Sequence, residues 1–195
     1  MKNTITVVTA ALAIALLYIS SLVFGAMPKS SPVRTTPFVS ATPTSIPVGK
    51  PAVLEIPSLQ VKADIEEVGM DSKGRMEVPS TNTTVAWYKL GFKPGEQGSA
   101  VIDGHYDTNT GAPAVFYDIG NLHKGDKVLV TDKKNNTYSF EVTDIQIYPY
   151  DQLPMNKIFA SSGTSTLNLI TCQGTFDEKA VNYSHRTVVY TKRVN

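Results

Sequence analysis

Few side chains in this sequence have chemistry to offer: one cysteine (Cys172), three histidines, and an arginine (Arg186) at the head of the last apolar segment. Cys172 closes the run Asn168-Leu169-Ile170-Thr171-Cys172. In a strand, side chains alternate, so Leu167 and Leu169 share one face and Asn168, Ile170 and Cys172 the other. That puts the thiol on the less apolar face, toward a groove. Gln173-Gly174 follows directly and leaves the backbone open to a substrate. A free thiol is only slightly ionised at neutral pH, so a nucleophilic role demands an imidazole or a cation nearby.

Of the histidines, His105 has the best placement. It ends the apolar run Ser99 to Asp103-Gly104-His105 and opens the polar stretch Tyr106-Asp107-Thr108-Asn109-Thr110-Gly111. A strand behind and a loop in front suit a functional side chain, although a histidine satisfied by the loop carboxylates fits the same pattern. His123, in Leu122-His123-Lys124-Gly125, reads as a solvated loop residue, and His185 as a weaker site candidate beside Arg186. A return of the last strand beside the Cys172 strand brings Arg186 to the thiol, where a guanidinium can donate to a developing oxyanion. The bland alternative is a surface arginine paired with Asp177 or Glu178. Asp103, His105, Asp107 and Asn109 imitate a ligand run, but Ala114 stands where a calcium-binding loop needs its Glu. With one cysteine and no H-e-x-x-H arrangement, no metal or other cofactor is expected.

Short extended segments must hold these residues. Val53–Pro57, Val61–Glu67, Met76–Pro79, Ser99–His105, Lys127–Thr131, Thr137–Tyr148, Thr164–Cys172 and Arg186–Arg193 read as strands or extended pieces. Tyr138, Phe140 and Val142 alternate with Ser139, Glu141 and Thr143, the pattern of a half-buried strand. Asp71-Ser72-Lys73-Gly74 and Asp132 to Asn136 read as turns. Val85–Tyr88 reads as a short helical turn, and Pro113–Ile119 as a helix of one to two turns with Pro at its start. The mostly-β pattern predicts an antiparallel or mixed barrel or sandwich.

Lysine plus arginine number 18 against 17 acidic residues, a net charge of +1. No basic run or basic–aromatic stripe is present, which argues against nucleic-acid binding. Ile5 to Phe24 carries no charge and is long enough to span a bilayer as a helix. A cleaved signal peptide competes, but the apolar run is longer than such segments carry, and Phe24-Gly25-Ala26 puts a bulky residue at the would-be cleavage site. Pro28, Pro32, Pro37, Pro43 and Pro47 mark a Pro/Ser/Thr-rich spacer. The expected organisation is a cytoplasmic N-terminus at 1–3, an anchor at 4–26, a linker at 27–50 and one domain at 51–195, outside the membrane.

The constellation of a strand ending in His105, a strand ending Leu169-Ile170-Thr171-Cys172, and Arg186 opening the last strand resembles the sortases, cysteine transpeptidases of Gram-positive-type cell surfaces. Asn168 stands where the family pattern T-L-x-T-C has its first Thr. Asp103-Gly104-His105 and Pro113-Ala114-Val115-Phe116 look most like class F, with classes D and E as neighbours. The resemblance implies a closed β-barrel of about eight strands with one or two short helices. It implies that Cys172 attacks the Thr carbonyl of an LPxTG-like sorting signal and forms a thioester. His105 would protonate the leaving Gly amine, and Arg186 would steady substrate and oxyanion. An amine from a cell-wall precursor or a pilin would resolve the acyl-enzyme. Thr171 and the loop 150–163 are the expected substrate-binding parts, and the partners are surface proteins bearing the signal. Two other readings remain open here: an exported cysteine peptidase, and an anchored β-barrel binding module with an inactive thiol.

Overall fold

The computed structural model describes residues 47–161 and 163–194. The expected segments 1–3 and 4–26, and the linker up to residue 46, lie outside the described residues. No helix among the described residues is long and apolar enough to cross a membrane.

The described residues form eight strands: β1 (Pro51–Ile56), β2 (Val61–Val68), β3 (Val85–Tyr88), β4 (Gly98–Gly104), β5 (Lys127–Asp132), β6 (Thr137–Pro149), β7 (Ser165–Asp177) and β8 (Asn182–Val194). They close into a barrel in the order β1-β2-β3-β4-β7-β8-β6-β5. Among the described residues helix is confined to short pieces: α1 (Met155–Ile158) and 3-10 turns at Pro57–Leu59 and Ile119–Asn121. The pairing is mixed, because β2–β3 and β4–β7 run parallel while the other neighbours are antiparallel. In β6, Tyr138, Phe140 and Val142 point into the core, as the alternation predicts.

The interior is filled by one face of every strand. Ala100 and Ile102 of β4, Leu167 and Leu169 of β7, Val189 of β8, and Val128 and Val130 of β5 belong to this cluster. A second, smaller cluster lies on the outside of β4, β7 and β8, where Val101, Val188 and Tyr190 are covered by Ile158 of α1. With both faces covered, β4 reads as a near-continuous apolar run, as parallel strands do. The chain is already tied to the barrel before β1: Val48 packs on the core, and the Gly49 amide donates to Asp132 at 3.0 Å.

Several local expectations are corrected. Val85–Tyr88 is a strand, not a helical turn. Its first three residues are all buried because β2 and β4 flank it, and a short apolar run buried on both faces carries no period to tell strand from helix. Pro113–Ile119 forms no α-helix. Its backbone closes through three-residue bonds, Tyr117 to Ala114 and Ile119 to Phe116, and runs into the turn Ile119–Asn121. Phe116 there packs on Gly104 so closely that a Cβ on the glycine would lie 2.4 Å from the ring. Met76–Pro79 makes only an isolated bridge, Met70 to Met76. Finally, β7 does not end at Cys172 and β8 does not begin at Arg186. Both run on past the barrel rim as a ribbon, with a register irregularity between Gln173 and Phe176, where Gly174 takes a left-handed φ of 90°.

Candidate active site

The parallel pair β4–β7 carries the site. Ile102 lies opposite Leu169 and Asp103 opposite Ile170. Across the antiparallel β7–β8 pair, Ile170 lies opposite Val188 and Cys172 opposite Arg186. Ile170 and Val188 belong to the outer cluster, so alternation puts Cys172 and Arg186 on that outer face as well. His105 is one residue past the end of β4, in step with Asp103 on the same face. The three candidate residues therefore gather at one end of the outer face, with the 150–163 loop and its α1 helix further along it.

Cys172 is half-buried. Burial pushes its thiol up; Arg186 pulls the other way, and Asp103 and Asp107 add to the rise. No hydrogen bond joins the sulfur to His105 among the described residues. The His105 Nε2 instead sits 2.9 Å from the Pro79 carbonyl. A carbonyl only accepts, so Nε2 takes the hydrogen, and Nδ1 is the nitrogen free to exchange a proton. The turn bearing Pro79 is itself held by Glu66, which accepts from the Ser80 amide (3.1 Å), the Ser80 hydroxyl (2.9 Å) and the Thr84 hydroxyl. Those bonds, the Thr84 hydroxyl first, hold the Glu66 carboxyl below its usual range.

Arg186 makes no ion pair with Asp177 or Glu178. Its Nη2 donates to Asn182 Oδ1 at 2.6 Å, and its Nη1 to the carbonyls of His185 (2.9 Å) and Tyr183 (3.2 Å). The ribbon of β8 beyond the barrel thus supplies the acceptors that aim the guanidinium. Beside it, Tyr183 donates to Asp107. Burial, with that bond next, pushes the Tyr183 phenol up to about 12. Tyr183 also meets Tyr106 and Phe176 edge-on, and Tyr106 stacks on Tyr117.

Two other expectations resolve differently. Thr171 alternates with Cys172 and does not share its face. It is buried, and its hydroxyl donates to the Gly104 carbonyl at 2.7 Å, pinning β7 to β4 just below His105. His185 alternates with Arg186, lies opposite Gln173, and has its Nδ1 2.8 Å from the Ser184 hydroxyl, so it is not on the thiol's face. His123 is exposed in a loop, as its sequence context predicts. Among the described residues, no group of three or more His, Cys, Asp or Glu side chains is arranged to hold a metal ion.

Asn168, the departure from the family pattern, has a visible structural role. It is buried, and its Nδ2 donates to the Ile158 carbonyl at 2.6 Å, tying α1 to the sheet. Lys157 of the same helix lies over the Tyr190 ring, 3.8 Å from its centroid, and Phe159 meets Tyr88 edge-on. Nothing local in the sequence reveals these partners of Glu66, Asn168 and Asn182, because each contact depends on how distant strands are registered.

The sortase domain family matches residues 54–194. Among solved structures, the sortase C-1 of Actinomyces oris is similar at 26% identity and a TM-score of 0.56, over 74% of this chain and 73% of that one. Sortase C1 of Streptococcus agalactiae aligns at 23% identity and a TM-score of 0.58, over 74% and 67%. A Clostridium perfringens sortase D5 transpeptidase aligns at 20% and 0.56, over 75% and 79%. A search of curated proteins returned no match. A match across the whole barrel, on the same closed fold, has one meaning: this chain belongs to the sortase family of cysteine transpeptidases.

Proposed function

We propose that this sortase is a membrane-anchored, single-pass enzyme whose catalytic domain works outside the cell membrane. Its acyl donors are surface proteins ending in an LPxTG-like sorting signal, cleaved between Thr and Gly. Its acceptor is an amine of a cell-wall precursor or a pilin. The observation that carries the reading is the register of Cys172 opposite Arg186, with His105 leaving β4 on the same face.

In this mechanism the Cys172 proton passes to His105 Nδ1 and the sulfur attacks the Thr carbonyl. The carbonyl oxygen becomes an oxyanion, and Arg186 donates to it. The Thr–Gly C–N bond breaks as His105 returns the proton to the departing amine, leaving a thioester on Cys172. The acceptor amine then attacks the thioester and gives a proton to His105, and the thiolate leaves. The Pro79 carbonyl keeps the imidazole in the tautomer this sequence needs. In this reading the 150–163 loop cradles the Leu-Pro part of the signal, a role supported by the contacts of Ile158 and Asn168 that hold α1 on the outer face. The segment at 4–26 supplies the anchor, and the proline-rich stretch that follows it the spacer.

The test is incubation of the purified protein with an LPxTG peptide, with and without a glycine or lysine amine, followed by mass spectrometry. The expected result is a thioester on Cys172 and an amine-ligated product, both lost in Cys172→Ala. Hydrolysis unaffected by added amine would point to a peptidase. Retained cleavage in Cys172→Ala would remove the thiol from the mechanism.

A further inference from the structure

Asp103 has no part in the reaction above, yet it stands on the thiol's face. Ala100 and Ile102 of β4 belong to the interior cluster and Val101 to the outer one, so alternation turns Asp103 outward. Register seats it beside Ile170, which itself adjoins Val188. A carboxylate is thereby set into an apolar floor, one side-chain step from the level of Cys172. It is half-buried, and no side chain among the described residues donates to it or forms an ion pair with it. Burial pushes its carboxyl up to about 7, against the pull of Arg186 and of the Gly104 amide.

A carboxylate on an apolar floor with no side-chain donor destabilises the empty site, and a donor arriving with a ligand relieves that cost. Sites built to hydrogen-bond a ligand group discriminate strongly against ligands that lack it. We propose that Asp103 is a specificity-determining residue of the acyl-donor groove, taking a hydrogen-bond donor (ammonium, amide or hydroxyl) from a side chain of the sorting signal upstream of the attacked Thr. The inference rests on the sorting-signal reading above. Two strand residues span about 6.6 Å, so the donor belongs to one of the three positions before that Thr.

The experiment uses peptides on an LPxTG frame in which each of those three positions carries, in turn, Lys, Gln, Ser or Leu. Cleavage by the full-length enzyme gives kcat/KM, and binding to Cys172→Ala is followed by fluorescence anisotropy. At one position the Lys or Gln peptide is expected to exceed its Leu counterpart by about tenfold. The ratio should fall toward one in Asp103→Ala, and Asp103→Asn should keep a preference for Gln while losing that for Lys. Equal ratios in wild type and Asp103→Ala would overturn the proposal. So would a uniform loss on every peptide, which would mean that Asp103 acts on Arg186 or the thiol, or an effect seen only when the acceptor amine is varied. If no peptide is cleaved, the sorting-signal reading fails on its own terms, and binding decides this one. A preference for the Lys or Gln peptide that disappears in the Cys172→Ala/Asp103→Ala double variant supports it, and equal binding refutes it.

Discussion

Burial, with two neighbouring carboxylates, pushes the Cys172 thiol up against the pull of the single guanidinium opposite it. In the proposed mechanism Arg186 has two effects: it favours the thiolate that attacks and the oxyanion that follows. Removing it moves the thiol further up, so at pH 8 the alkylation of Arg186→Ala by iodoacetamide should be slower than that of wild type, with the difference closing as pH rises. Turnover should fall further than alkylation, by about 100-fold or more in kcat/KM, because the oxyanion donor is lost as well. Arg186→Lys should not restore it, since one ammonium cannot reproduce the fork that reaches Asn182 and two carbonyls while still facing the substrate. Wild-type rates in Arg186→Ala would take this residue out of the mechanism. At this scale the sequence was informative about chemistry and silent about aim. Cys172, His105 and Arg186 stand out by type and by position near strand ends, whereas Pro79, Glu66 and Asn182, which hold two of them, carry no local signature.

Two elements make separate predictions. The 150–163 loop hangs on the bond from Asn168 to the Ile158 carbonyl. Asn168→Ala leaves that buried carbonyl unpaired at a cost of about 1–3 kcal/mol, so KM for the peptide should rise about tenfold with kcat nearly kept. An equal fall in kcat at constant KM would contradict this account. The β5–β6 hairpin is built on Asp132, which is buried and accepts from the amides of Gly49, Lys134 and Asn136, from Asn136 Nδ2 and from the Tyr138 hydroxyl. Burial alone would raise its carboxyl, but those donors win, led by Asn136, and hold it at about 2 against an ordinary 3.8. A carboxyl depressed by folding stabilises the protein above its unfolded value and loses that contribution as pH falls through its folded one. Asp132→Ala should therefore cost about 2–4 kcal/mol at neutral pH in denaturant melts, and the gap from wild type should narrow between about pH 4 and pH 2. The turn at Asp132–Asn136 was readable from its residue types. The continuation of β7 past Cys172 was not, because Gln173-Gly174-Thr175 has loop composition and becomes strand only by pairing with the start of β8.

For the molecule as a whole, closure into a barrel follows from a sequence that alternates well enough to fill one interior. The parallel pairings β2–β3 and β4–β7 could not be read from it, since direction depends on how the chain crosses between strands. Residues 4–26 carry a prediction that belongs to this scale. The full chain should sediment with membranes and resist extraction by high salt, while a chain begun near residue 47 should remain in the supernatant. Recovery of the full chain as a soluble protein would refute the anchor.

The parallel pairing of β4 with β7 also governs when the enzyme comes alive. The intervening chain holds all of β5, β6 and α1, so joining these two strands closes a long loop before any contact repays it. Hairpins such as β5–β6 need no such closure and form early. In refolding, β-sheet signal should therefore precede acyl transfer, and the delay should lengthen if β4–β7 contacts such as that of Thr171 with Gly104 are weakened. Until β4 joins β7, the β7–β8 hairpin can set Arg186 opposite Cys172, but the thiol has no imidazole beside it.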